Sequence, residues 1–423
     1  MNRIALFNPE HDMALANGDR HFIAPRNIRE MGRDLAPLLE LIEGDNLLVW
    51  GWDYAVKNYL LRMGVAANLL PSEKALTALR QRSGRASAHH LLTAFHAAHP
   101  TGPYVGESIL VHDIDEILPY AAKHKHIILK DPFSSSGKGL RHIKGGLPLP
   151  CPQAELLWED KSSVVATDAH LASARRGETS DSSEQNEGSI SSLSFSLKKV
   201  ENWAEALLRR HGYLTAEPYY NKMQDFAMEF RADSDGCHFI GYSYFNTNAH
   251  GRYESNLLAP DEKIENLLAR HIPHSALHEL RDWIVSHSHL IIPTEWDTTK
   301  HPLHFGIDMM LVETTDNGQQ ATDKVNFQFS IFNSQFKIHP CVEINLRLNM
   351  GIIAHEVHRK LLANGAEGTF HVTAFPTKEA LQAFQAEQIR RHPATYREGL
   401  LIEGYHPLTS IQQDTRHHAY ILL

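Results

Sequence analysis

The sequence predicts an α/β and α+β protein, with a small open α/β lobe leading into longer strands interleaved with helices. Three observations predict it. Residues 1–82 alternate short apolar strands with helical repeats, the pattern of an open α/β sheet. Asp225 to Phe245 alternates apolar and polar residues around Asp233-Ser234-Asp235-Gly236, as an antiparallel hairpin does. The chain is 423 residues long, which at about 150 per domain suggests roughly three lobes with ample material for a core.

Taken in order, Arg3 to Asn8 reads as the first strand, and Asn8 can cap a helix with Pro9 at its first position, continued by Asp12 to Ala16. Leu47 to Trp50 is the second strand. Asp53 then caps a helix in which Val56, Tyr59, Leu60 and Met63 keep the 3.6-residue spacing and which Gly64 stops. Ligands of open α/β sheets gather beyond the carboxyl ends of the strands, which would bring Asn8, Glu10, His11, Asp12, Trp52 and Asp53 to one crevice. Asn8 and Asp53 serve equally well as plain helix caps. Lys161 to Ser192 is rich in Ser, Glu, Gly and Thr and lacks aromatics, so it is expected to be a disordered surface insertion. A helix resumes with Val200, Trp203, Ala204, Leu207 and Leu208 on one face and stops at Gly212.

Inside the hairpin, regular pairing would put Glu229 and Arg231 on the face of Asp225 and Ala227. Gly251-Arg252-Tyr253-Glu254-Ser255-Asn256 reads as a loop from which Arg252 could reach a site. Phe305 to Val312 is a strand interrupted by one acid, Asp308. Thr314 to Lys337 is an insertion in which Asn326 to Phe332 could add a strand to a hairpin. A helix is expected from near Ile352 to Gly365, and Leu400 to Ile402 with Ala419 to Leu422 read as two strands closing a sheet. The expected divisions are an N-terminal lobe at 1–82, a lobe at 83–214 carrying the insertion at 161–192, a lobe at 215–376, and an extension at 377–423.

The richest segment for chemistry is Val342-Glu343-Ile344-Asn345-Leu346-Arg347. Strand side chains alternate, so Glu343, Asn345 and Arg347 would share a face. A carboxylate and an amide oxygen are hard ligands suited to Mg²⁺, which takes one or two carboxylates plus substrate phosphates. Asp308, an acid in an apolar strand, is the natural second carboxylate. The alternative is a solvated face on which Arg347 pairs with one acid. Upstream, Ile127-Ile128-Leu129-Lys130 is a strand ending in a lysine, followed by Asp131-Pro132-Phe133-Ser134-Ser135-Ser136-Gly137-Lys138-Gly139. Lys130 and the Ser134 to Gly139 loop are suited to polyphosphate, a point charge and a flexible loop of N–H groups and hydroxyls. The same loop is also an ordinary Ser/Gly turn. It matches neither the P-loop nor the Rossmann glycine pattern.

A strand lysine, a Ser/Gly loop, an acidic hinge, an Asp strand and E-x-N-x-R, in that order, resemble the ATP-grasp superfamily over Arg85 to Met350. The resemblance implies an ATP-grasp fold, two α+β lobes with ATP between them, behind a pre-ATP-grasp-like lobe. It implies that Lys130 contacts the α/β-phosphates, that Ser134, Ser135, Ser136, Gly137, Lys138 and Gly139 form a lid, and that Arg85 holds phosphate. It also implies that Glu217 begins the adenine hinge, that Asp225 holds the ribose, and that Asp308, Glu343 and Asn345 bind Mg²⁺ or Mn²⁺. Two departures touch the hinge: Pro218 lacks a donor, and Asp225 is Asp where Glu is usual.

The net charge of −9, with 22% charged residues, shows no basic footprint, so nucleic acid is not expected as a partner. No apolar run approaches the roughly 18 residues of a membrane span, and the three widely spaced cysteines Cys151, Cys237 and Cys341 fit a reducing compartment; a cytoplasmic protein is expected. The 29 histidines include His271/His274 and His355/His358, which lack the partners of a zinc site; His355 and His358 are expected on the surface of their helix. The resulting expectation is an ATP- and Mg²⁺-dependent ligase that activates a carboxylate as an acyl phosphate and joins it to an amine or thiol. Arg347 would orient the acid, with Arg231 and Arg252 as further candidates. Two alternatives stay open: a kinase phosphorylating a small acceptor, and a nucleotide-binding interaction protein without turnover.

Overall fold

The computed structural model describes residues 3–44, 46–133, 139–145, 147–148, 185–248, 253–314 and 335–423, with the backbone alone at 147–148 and 185–197. The lid residues 134–138, Arg252, Cys151, residues 161–184 of the expected insertion and the expected strand at 326–332 lie outside these ranges.

Strand β1 (Ile4–Leu6) pairs in parallel with β2 (Leu47–Val49), with α1 (His11–Asn17), α2 (Arg26–Leu35) and α3 (Tyr54–Arg62) around them. Asp53 caps α3 as expected, accepting from the Val56 N–H at 2.8 Å. Asn8 does not cap α1, whose N-cap is Glu10. Its amide instead exchanges two hydrogen bonds with the backbone of Gly51, at 2.8 and 3.1 Å, which ties the ends of β1 and β2 together. A buried amide next to two unpaired backbone groups gains more from both bonds than from one cap.

Helices α4 (Glu73–Arg82) and α5 (Arg85–Ala98) follow. β3 (Ile109–Val111), α6 (Ile117–His124), β4 (His126–Lys130), β5 (Leu140–Lys144), β6 (Leu147–Pro148), α7 (Gln185–His211) and β7 (Leu214–Pro218) make a five-stranded sheet, in the order β3-β7-β4-β5-β6, with its helices. Helix α7 starts inside the segment expected to be disordered and ends at Gly212, whose φ of 79° suits a residue without a Cβ.

The remaining chain builds an eight-stranded sheet. The expected hairpin forms from β8 (Lys222–Asp233) and β9 (Gly236–Thr247). The segment expected as a loop is β10 (Tyr253–Leu258), because its backbone is paired on both sides, by β9 and by β13. After α8 (Asp261–Leu268) and α9 (His274–Ser286) come β11 (Leu303–Glu313), β12 (Phe336–Asn345), α10 (Met350–Leu361), β13 (Gly368–Ala374), α11 (Lys378–Arg391), β14 (Thr395–Arg397), β15 (Leu400–Glu403), β16 (Tyr405–Pro407) and β17 (His417–Leu422). The sheet order is β12-β11-β8-β9-β10-β13-β17-β16. Of the two tail strands expected to close a sheet, β17 enters this one, whereas β15 pairs with β14 in a separate two-stranded sheet and bridges to Leu362.

The chain packs as two units, one of Met1–Ile109, Pro132–Gly137 and Tyr220–Leu423 and one of Leu110–Asp131 and Lys138–Tyr219. These cuts differ from the four expected ones, since apolar faces bury against the nearest apolar sheet rather than by chain order. Leu91, Leu92 and Phe95 of α5 join the core formed by Phe226, Met228 and Phe230 of β8 with Phe305, Ile307 and Met309 of β11. Each such side chain contributes about 1.5–3 kcal/mol when fully buried. The other faces of β8 and β11 carry Ala227, Glu229, Gly306 and Asp308, and there the candidate site forms.

Candidate active site

On β11 and β12, Asp308 stands directly opposite Glu343, and Gly306 opposite Asn345. Alternation therefore places Asp308, Glu343 and Asn345 on one face, as expected from the sequence. With Glu229, Ser243, Tyr253, Asn256, Arg347, Asn349 and Gly351 they line a basin of about 190 Å³ in the larger unit. Glu343 also accepts an ion-paired hydrogen bond from Arg85 Nη2 at 3.2 Å.

The basin is crowded with carboxyl groups. Burial, then the neighbouring charge of Glu343, pushes Asp308 up to about 7, with Arg347 opposing. Burial also raises Glu229 to about 8, partly offset by a hydrogen bond from Asn349 Nδ2 at 2.7 Å. The Asn349 Oδ1 simultaneously accepts from the Ile352 N–H at 3.0 Å and so caps α10, whose first residues, Met350 and Gly351, open onto the basin. Glycine is required at 306 and 351: a Cβ at either position would collide with the Glu229 carboxyl.

This donor set suits a hard divalent cation. Two carboxylates face each other across one strand pair, with the Asn345 amide donating to Asp308, and their mutual repulsion is what a cation would relieve. Among the described residues no three His, Cys, Asp or Glu side chains form a metal-holding cluster. Mg²⁺ does not require one, because it takes one or two carboxylates and completes its shell with phosphate oxygens and water.

The arginines depart from expectation. Arg347 lies past the end of β12 and is bound by Asp12 of α1, Nε to Oδ1 at 3.2 Å and Nη2 to Oδ2 at 2.8 Å. It is therefore not open for two-pronged binding of a substrate acid. Burial opposes its charge, but Asp12 together with Glu343 and Asp308 outweighs burial and holds it protonated. Arg231 keeps the Glu229 face of β8, because the residue left over at the register slip is Ile240 of β9, but it does not line the basin and its guanidinium lies 3.3 Å from Asp233. The six residues expected in one crevice are divided. Asn8, Glu10 and Asp53 line a cavity of about 380 Å³, and His11 Nδ1 lies 3.3 Å from Asp53. Trp52 lines another of about 450 Å³, and Asp12 joins Arg347.

In the smaller unit, Lys130 at the end of β4 is buried and paired with Glu217 of β7 at 2.5 Å. Pro218, opposite Ile127, ends β7. Gly139 accepts from the Asp131 N–H at 3.0 Å, closing the base of the loop. Asp225, of the larger unit, is held by Lys222 and by the Thr247 hydroxyl at 2.8 Å. His355 and His358, expected on the surface, are half-buried on α10, His355 at 3.6 Å from Asp261. Glu229, Asn349, Asn256 and Tyr253 are basin residues that the sequence did not single out as a site. Asn349, three positions before Ile352 at a helix start, carried a readable cap signal; the others carried none.

No family model matches the chain, and no curated protein matches it. Among solved structures it is similar to N5-carboxyaminoimidazole synthase from Aspergillus clavatus in complex with ADP and 5-aminoimidazole ribonucleotide, at 9% identity over 89% of this chain and 76% of that one, with a TM-score of 0.41. The corresponding Staphylococcus aureus synthetase, complexed with ADP, aligns at 10% identity over 100% and 95% of the two chains with a TM-score of 0.42. Campylobacter jejuni biotin carboxylase, in a nucleotide complex, aligns at 11% identity over 93% and 73% with a TM-score of 0.44.

Proposed function

We propose that this chain is an ATP-grasp-type ligase that uses ATP and Mg²⁺ to activate a carboxylate as an acyl phosphate and join it to an amine or thiol. The observation that carries the reading is the pair Asp308 and Glu343, facing each other beside Asn345 in a basin whose buried acids are held far above ordinary carboxyl values. Asp308, Glu343 and Asn345 would hold the cation; when bound, Mg²⁺·ATP supplies the transferable phosphoryl group and neutralises its charge.

The chain's own residues set the stage around that group. Arg85 holds Glu343 in place from α5. Asp12 fixes the Arg347 guanidinium at the basin edge, where it lends positive charge without rotating away. The opening turn of α10 presents backbone N–H groups and the positive end of its dipole to the basin, suited to phosphate oxygens or a carbonyl oxygen gaining charge. Lys130 and Glu217 of the smaller unit carry the nucleotide part of the reading.

Incubation with ATP, Mg²⁺ and pooled carboxylic acids, with hydroxylamine as the trapping nucleophile, is expected to release ADP and yield hydroxamates. A stable phosphorylated product that hydroxylamine leaves intact would replace the ligase reading by a kinase. ATP binding without ADP release under any substrate pool would replace both by a binding protein. Asp308→Asn is expected to abolish turnover, with a loss of about 100-fold or more, because it removes the ligand whose charge the cation balances.

A further inference from the structure

One wall of the basin holds polar atoms that no group among the described residues satisfies. Asn256 of β10 is 1% exposed; its Nδ2 donates to Ser243 Oγ at 2.5 Å, and its Oδ1 has no hydrogen-bond partner among the described residues. The Tyr253 hydroxyl is likewise buried without one. Residues three apart on a regular strand face opposite ways, yet both of these line the basin. A bulge explains it. Tyr253 pairs with Thr247, Ser255 with Asn246 and Asn256 with Phe245, so Glu254 is the extra residue that re-aims the strand. Burial holds the tyrosine well above its ordinary range, so it stays a neutral O–H donor.

An orphaned acceptor and an orphaned donor on one wall, three residues apart on a bulged strand, are what a ligand with the complementary pair would meet. We propose that Tyr253 and Asn256 form the subsite of the nucleophile, and that the nucleophile is an amine that also carries an oxygen acceptor close to its nitrogen, as α-amino acids and their amides do. An amine N–H donates to Asn256 Oδ1, whereas a thiol S–H is a weak donor and would leave that oxygen unsatisfied. The Tyr253 O–H donates to the neighbouring oxygen. This rests on the ligase reading and narrows its second substrate. In the step served, the amine nitrogen forms a bond to the acyl carbon, the carbon–oxygen bond to phosphate breaks, and phosphate leaves with that electron pair and the surplus amine proton.

The test is calorimetric titration of the full chain, loaded with Mg²⁺ and a non-hydrolysable ATP analogue, with the proteinogenic amino acids, ethylamine and mercaptoacetate. Wild type, Asn256→Leu and Tyr253→Phe are compared, each checked for an unchanged melting profile. At least one amino acid is expected to bind wild type about tenfold or more tightly than mercaptoacetate. Tyr253→Phe should weaken that amino acid about tenfold and leave ethylamine unchanged, and Asn256→Leu should weaken both. Equal binding of mercaptoacetate, no effect of Tyr253→Phe, or no amine binding at all overturns the proposal. Hydroxylamine-dependent ADP release by wild type separates the two ideas: if it is present while the titrations fail, only the subsite is wrong, and if it is absent the ligase reading itself fails.

Discussion

Asp308 and Glu229 show how environment, rather than residue type, sets chemistry. Two ordinary carboxyls with reference values of 3.8 and 4.5 reach about 7 and about 8 once buried beside further acids. The consequence for stability has a definite sign. Between the unfolded and folded values the folded protein holds protons that the unfolded chain has released, so stability is greatest below about pH 4 to 5 for these two groups and is lost as pH rises to about 8. Each contributes a slope of up to about 1.4 kcal/mol per pH unit. The metal-free protein is therefore expected to melt at a lower temperature at pH 8 than at pH 6. The double variant Asp308→Asn, Glu229→Gln should flatten that dependence, read by thermal melts across the range. A cation opposes the trend, because it binds the deprotonated acids, so added Mg²⁺ should stabilise more at pH 8 than at pH 6.

Helix α10 links packing to the site. Its apolar face, with Ile352, Ile353, Ala354 and Val357, is buried against Leu35, Leu38 and Leu39, while its N-terminus is fastened by one side chain that also satisfies Glu229. Asn349→Ala removes both bonds. The cap is worth about 1 kcal/mol and the bond to a buried acid about 1 more, so a loss of about 2 kcal/mol is expected in urea unfolding. Asn349→Asp keeps the cap but places another acid against Glu229, and should recover only part of that loss. Elements also explain the two arginines that departed from expectation. Arg231 lies toward the far end of β8, paired with Asp233, and Arg347 follows a strand end; how far along a strand a basin reaches is not written in a period-two pattern.

At the scale of the molecule, β17 lies between β13 and β16, near the end of a sheet begun two hundred residues earlier. Truncation after Ser410 would expose the edge of β13 and unroof Phe370, so it is expected to abolish cooperative melting of the larger unit, as monitored by near-UV circular dichroism. The shared face of Asp308, Glu343 and Asn345 was legible beforehand, because strand alternation is local: Glu343 and Asn345 share a face wherever the strand is placed, and an acid in an apolar strand must meet a partner. The β8–β9 hairpin and the Asp53 cap were legible for the same reason, each depending on neighbours within a few positions. The unit boundaries, the capture of Arg347 by Asp12 335 residues away, and the gathering of Glu229, Tyr253 and Asn256 into one wall were not. They depend on which apolar faces meet and where the ladder slips, and such long-range contacts are chosen by the burial of the whole sheet, not by any stretch of chain read alone.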